Sequence, residues 1–360
     1  MDATGASSVS RVDDLEQHLG QLASDPTLPT DDKLFDHVEV QITDANIPPL
    51  IPRLLPIITD VLQRYQRDPV VLCSLATKLL RPLSFHQTMS FAAEEALVQA
   101  LRSPAPSANL LAMTILAKAS RSPSDAAVLA AMKGVVTSFV TRWLSAPAVE
   151  VGEKGTSVLG DLLVVDSPDS PIEGLGESHG GAALVAPNSP GQGFMWRRIF
   201  NDRDVYGLIL SSCSHGPHQS AEGGLTPQQL SLAQGRLLRL LPRLSACNLG
   251  VIARTNFPDL HQRYINSETP GGLLYFAALH MIDKEDILMH LSLIDFFERL
   301  LSIQRITPTS TFKMDILRKL YREVAEQDDT FDNVIRSLPD RTIPEEADAL
   351  RRFIHDVTTD

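Results

Sequence analysis

Residues 71–80 read VLCSLATKLL, and segments of the same kind return at 110–119 (LLAMTILAKA), 151–163 (VGEKGTSVLGDLL), 233–244 (AQGRLLRLLPRL) and 273–282 (LLYFAALHMI). Their starts are 39, 41, 82 and 40 residues apart, and 82 is twice 41. HEAT and armadillo units repeat at about 40–47 residues. Such a unit is a helical hairpin too small to bury its own apolar face, so neighbours must stack. Small residues within the segments, among them Ala76, Ala112, Gly155, Gly160 and Ala277, let neighbouring helices approach closely. The expected fold is all-α: one α-solenoid of HEAT- or armadillo-type hairpins over residues 1–360.

Helical periodicity extends outward from these segments. Val12, Leu15, Leu19 and Leu22 share one face near the start, preceded by a capping-box pattern at Ser10 and Asp13. Met314, Leu317, Leu320 and Val324 form another stripe. Ala347, Leu350, Ile354 and Val357 form a third after Pro344, a residue suited to a helix start. Residues 166–193 break the pattern. They are rich in Gly, Pro and Ser and are expected to form a flexible, disordered insertion within the solenoid. A shorter loop is expected from Ser214 to Thr226.

Composition agrees with helix-on-helix packing. Hydrophobic residues make up 43% of the 360 residues and aromatics only 6%, a balance that disfavours β-sandwiches. The net charge of −12 argues against a general nucleic-acid surface, which needs cations to displace counterions. The charge is segregated. Residues 1–60 carry 3 basic and 11 acidic side chains, and residues 323–360 carry 4 and 11. Residues 197–263 instead hold eight Arg against four acids. The strongest apolar stretch, Ile47 to Leu62, is broken by Pro48, Pro49, Pro52 and Pro56, so no membrane span is expected. Three distant cysteines, Cys73, Cys213 and Cys247, form no disulfide framework. With no signal-peptide pattern at the start, a cytosolic or nuclear location is the expectation.

The chemical motifs are weak. Gly176-Glu177-Ser178-His179-Gly180 fits G-x-S-x-G, but that nucleophile elbow needs a strand before it and a helix after it. Cys213, His215 and His218 lie close together, yet a metal needs further ligands at workable spacing. GEKGT at 152–156 has the wrong order for a phosphate-binding loop. The expectation is a protein that is not an enzyme and that uses no cofactor and no metal. The densest polar–aromatic run is FMWRRIFNDRDVY at 194–206. Trp, Tyr and Arg dominate interface hot spots, while Trp196, Phe200 and Tyr206 also suit core anchors that restart the fold after the insertion.

Two segments carry a resemblance. The VGEKGTSVLGDLLVVD stretch at 151–166 and the MWRRIFNDRDVYGLIL block at 195–210 follow one another across a variable stretch. This order resembles the HEAT-repeat chaperone family that assembles the proteasome base, whose fungal members are also labelled DNA mismatch repair proteins. The resemblance implies a non-catalytic solenoid that grips the C-terminal region of one proteasomal ATPase subunit. The alternative is a HEAT-repeat scaffold or adaptor in another complex, such as one in mismatch repair. Direct contact with nucleic acid or membrane is expected in neither case. Arg197, Arg198, Arg236, Arg239 and Arg243 are the candidate partner-binding residues. The last three sit at spacings of three and four, which places them on one helical face, expected at the polar edge of the stack. Leu237, Leu238, Leu240, Leu241 and Leu244 are expected to fill the faces against neighbouring hairpins.

Overall fold

The computed structural model of the chain describes residues 9–168, 190–215, 224–265 and 271–359. Among the described residues there are nineteen α-helices and no β-strand. They begin with α1 (Val12–Ser24), α2 (Asp32–Gln41), α3 (Ile47–Arg64), α4 (Val70–Leu80), α5 (Phe85–Met89), α6 (Glu94–Arg102) and α7 (Pro106–Ala117). Next come α8 (Pro123–Ala131), α9 (Lys133–Ser145), α10 (Val149–Val165), α11 (Phe194–Phe200), α12 (Arg203–Cys213) and α13 (Pro227–Ala253). The last are α14 (Pro258–His261), α15 (Leu273–Tyr275), α16 (Ile287–Ile306), α17 (Thr311–Ala325), α18 (Asp329–Ser337) and α19 (Pro344–Thr358). The five recurring apolar segments fall on α4, α7, α10, α13 and α15, the last continued by a π turn at Phe276–His280. No single described helix is long and apolar enough to cross a membrane.

The helices form two units. One comprises residues 1–120 and 132–142, the other residues 121–131 and 143–360. In the first unit α1 packs on α3, α3 on α4, and both α4 and α6 on α7. Val12, Leu15, Leu19 and Leu22 are all buried, as their spacing requires. The Ser10–Asp13 capping box does not form. Arg11 is the N-cap residue and takes left-handed backbone angles, which moves Asp13 one position short of the capping site. Ser10 donates instead to Gln41 Oε1, from its backbone N–H at 2.9 Å and from its hydroxyl at 3.0 Å. The prolines of 47–62 do not end α3, which runs through Pro52 and Pro56. All four prolines are exposed, so the hydrogen bonds they forfeit lie on the side open to water. The opposite face buries Ile47, Leu50, Ile51, Leu54, Leu55, Ile58 and Val61.

Several long-range polar ties in each unit span about forty residues. In the first unit Lys78 Nζ donates to Glu39 O, Lys118 Nζ to Leu80 O (2.8 Å) and Leu83 O (2.7 Å), and Arg142 Nε to Leu101 O (2.7 Å). The acceptors sit at or just past the C-terminal ends of α2, α4 and α6, where helix carbonyls lack partners within the helix. A cation there also meets the negative end of the helix dipole. In the second unit a similar span joins His290 to Asp328 (2.6 Å), Glu298 to Arg341 (2.6 Å) and Arg305 to Glu346. There Lys313 Nζ likewise closes the end of α16, donating to Gln304 O and Thr307 O.

The borders of the expected insertion are ordered. Asp166 is fully buried and accepts from the backbone N–H groups of Gln192 (3.2 Å), Met195 (2.6 Å) and Trp196 (3.3 Å). It thus caps the start of α11 from across the insertion. Gly191 N–H donates to Ser167 O, and Gly193, at φ +70°, turns the chain into the helix. The remainder of 166–193, from 169 to 189, lies outside the described residues, and with it Gly176–Gly180 and Ser178.

Candidate functional site

The arginine row sits on α13. Thr226 and Gln229 form a full capping box at its start, and Pro227 occupies its first turn. Leu237, Leu238, Leu240, Leu241 and Leu244 are all buried, as expected. Arg236 departs from expectation. It is not at a polar edge but buried, with 5% of its surface exposed. Its Nη1 donates to Trp143 O (2.8 Å) and Leu144 O (3.0 Å), and its Nη2 to Ala146 O (2.7 Å) and Ala148 O (3.4 Å). These carbonyls belong to the end of α9 and the turn that follows it. The planar five-donor guanidinium fits this cluster, where an ammonium would serve fewer carbonyls. Burial pulls the Arg236 pKa below the usual guanidinium range.

Helix α10 is shaped to receive the row. A methyl group on Gly152 would stand 2.0 Å from Arg236 Nε, and one on Gly160 would stand 2.5 Å from Arg243 Nη1. A methyl on Gly155 would stand 2.6 Å from the Trp143 ring. Trp143 Nε1 donates to Thr156 Oγ1 at 2.9 Å. Next to the outer glycines stand the counter-charges: Glu153 pairs with Arg239, and Asp161 with Arg243 at 2.7 Å. Arg239 is half exposed and Arg243 about a quarter exposed. The row is therefore consumed within the second unit. Its repulsion is offset by Glu153, Asp161 and helix-end carbonyls.

Arg197 and Arg198 have different fates. Arg198 Nε donates to Ala130 O (2.8 Å) at the end of α8, and its Nη1 pairs with Asp202 (2.6 Å). Arg197 is exposed. Its guanidinium lies 4.4 Å from the centroid of the exposed Phe194 ring, with weak donations to Gly193 O and Gln192 O. Exposed Val128 of α8 borders the same open groove, together with Asn201. Of the five candidate arginines, Arg197 alone makes no ion pair or buried carbonyl tie among the described contacts. It also keeps an aromatic ring and an aliphatic side chain beside it in the open.

The scaffold of this groove is an aromatic chain. Trp196 stacks on Phe200 (5.2 Å between centroids), Phe200 meets Tyr206, and Tyr206 meets Phe257 and His261. Trp196, Phe200 and Tyr206 are buried, so they act as core anchors. Trp196 Nε1 donates to Leu163 O at 2.8 Å. The Tyr206 hydroxyl and His261 Nε2 are 2.7 Å apart in the interior. Burial raises the Tyr206 pKa and lowers that of His261 to about 4, so His261 is neutral at neutral pH. Sequence reasoning missed His261, because nothing in its local sequence (FPDLHQRY) marks a buried ring.

The remaining candidates are structural or lie outside the described residues. Cys213 is buried with its thiol pKa raised by burial, and His215 Nε2 lies 3.0 Å from Gln234 Nε2. His218 lies outside the described residues. Among the described residues no group of three His, Cys, Asp or Glu side chains could hold a metal ion. Compared with known proteins, the chain matches no family model and no curated sequence.

Proposed function

We propose that this chain is a helical-repeat protein that works by holding a protein partner, with the Phe194–Arg197 groove as part of its contact surface. The observation that carries the reading is the exposed Phe194–Arg197 stack beside exposed Val128. Arg and aromatic side chains are enriched at interface hot spots, and a stacked pair held by a buried scaffold loses little entropy on binding. The forty-residue register of the cation-to-carbonyl ties supports a stack of HEAT- or armadillo-type hairpins. From the resemblance of 151–166 and 195–210, the partner is the C-terminal region of a proteasomal ATPase subunit, held during assembly of the regulatory-particle base.

Affinity capture of the full chain from native cells tests this reading. The expected catch is incomplete ATPase-ring intermediates with little mature proteasome. The Phe194→Ala/Arg197→Glu double variant is expected to lose at least about tenfold in affinity, a loss of about 1.4 kcal/mol. Capture of a DNA-repair assembly by the wild-type chain would replace the chaperone reading with the adaptor one. Unchanged capture by the double variant would remove the groove from the interface.

A further inference from the structure

The first unit contains a cavity of about 270 Å³ that the groove and the arginine row do not touch. It opens where α3, α4, α6 and α7 meet. The cause is compositional: Ala76 of α4, Ala96 and Ala100 of α6, and Ala108 and Ala112 of α7 all face it. Five methyl groups stand where larger side chains would close the space. Leu62, Leu97, Leu111 and Ile115 supply the apolar wall around them.

Several polar groups at the cavity have partners within the unit. Thr59 Oγ1 donates to Leu55 O and Thr88 Oγ1 to Ser84 O, each at 2.8 Å. Tyr65 Oη donates to Leu28 O, and Gln99 Nε2 to Gln63 O at the rim. The one cation of the lining, Arg67, donates its Nε to Thr27 O at 2.6 Å. No carboxylate lines the space. Arg67 is exposed and its charge is solvated, so a charged group set against the inner wall of Leu97, Leu111 and Ile115 would be desolvated without a counter-charge beside it, a large penalty. An apolar ligand would regain the dispersion contacts that the lining lacks.

Volume narrows the class further. An apolar cavity of about 150 Å³ stays dry and takes benzene. A space of about 270 Å³ is then suited to a ligand of about ten to twelve non-hydrogen atoms. It is below the range of roughly 300–1,000 Å³ that encloses drug-sized molecules and cofactors. We propose that the α3–α4–α6–α7 cavity is a binding site for a small, uncharged, apolar molecule, such as an alkylbenzene or a short hydrocarbon chain. Cys73 lines the same space, and burial raises its thiol pKa to about 11, so it presents a neutral, soft surface at neutral pH.

The probes are n-butylbenzene and its charged relative 4-phenylbutyrate, added to the full chain. n-Butylbenzene is expected to raise the melting temperature and to shift the methyl NMR signals of Leu97, Leu111 and Ile115. 4-Phenylbutyrate is expected to do neither at equal concentration. Ala96→Leu places an isobutyl group at a half-buried wall position and is expected to weaken n-butylbenzene binding at least about tenfold. Absence of methyl shifts in the wild-type chain at saturating n-butylbenzene would overturn the site. Equal binding of 4-phenylbutyrate would overturn the ligand class. Shifts confined to other methyl groups would show that the probe binds elsewhere, which also overturns the site whether or not Ala96→Leu folds.

Discussion

Two arginine-bearing helices of the second unit look alike in sequence and differ in what they do. On α13, Arg236, Arg239 and Arg243 face α10, whose Gly152 and Gly160 make room and whose Glu153 and Asp161 pair with Arg239 and Arg243. On α11, Arg197 faces outward and stacks on Phe194. The regular row of like charges and the Arg197–Arg198 pair within an aromatic run were both candidates for partner binding. The lesson is about neighbours. A row spaced at three and four repels itself unless something across the interface matches its spacing, and α10 does so within the same chain. Arg197 has no such match among the described contacts.

The largest expected effect sharpens this contrast directly. Arg236→Ala leaves the carbonyls of Trp143, Leu144 and Ala146 buried without their donor and is expected to cost about 3–5 kcal/mol in urea unfolding. Arg197→Ala is expected to stay within about 0.5 kcal/mol of the wild type. Equal losses would break the distinction between a structural and a surface arginine. One consequence concerns charge reversal of the whole α13 row: it would report unfolding and could not serve as a test of partner binding.

The second effect tests the scaffold beneath Arg197. His261 has a pKa of about 4 in the folded chain against 6.5 for an unperturbed histidine, because burial disfavours its charged form. The unfolded chain therefore binds the proton more tightly. Full stability from this group is present above about pH 6.5, and it is lost progressively as pH falls toward 4, by about 3 kcal/mol. His261→Gln is expected to flatten that part of the stability–pH curve. His280, whose pKa burial also lowers, leaves a residual slope. An unchanged slope in the variant would assign the acid sensitivity elsewhere.

A third pair of substitutions separates close approach from simple helix propensity. Gly152→Ala drives a methyl into Arg236 and is expected to cost about 2 kcal/mol. Gly235→Ala, one residue before Arg236, meets nothing within 4 Å and is expected to stabilise α13 by about 0.5–1 kcal/mol. Opposite signs at these two positions would confirm that α10 is the seat and α13 the occupant. The smallest effect is Arg239→Ala. Its pair with Glu153 is half exposed on both sides, so a loss of less than about 1 kcal/mol is expected, decreasing with added salt.

The sequence by itself determined that this is a helical protein and where the helices bury their faces. Apolar residues at i, i+3 and i+4 must share a side of any helix they form, and the stripes at Val12–Leu22, Met314–Val324 and Leu237–Leu244 are buried accordingly. Gly155 and Gly160 were legible as places of close approach, though Gly152, the seat of Arg236, was not, and Trp196, Phe200 and Tyr206 were legible as anchors. Local signals failed where a distant partner intervened. Ser10 went to Gln41 and Asp13 to Arg53 in place of a capping box. Only the tertiary structure decided which arginines are structural. The helical spacing of Arg236, Arg239 and Arg243 fixes a common face, but exposure depends on what lies opposite. Here that is the end of α9 and the notched, acidic face of α10, more than eighty residues earlier in the chain. Orphan carbonyls at a helix end have no signature in the sequence around the arginine that satisfies them, because the tie is made in space and not along the chain.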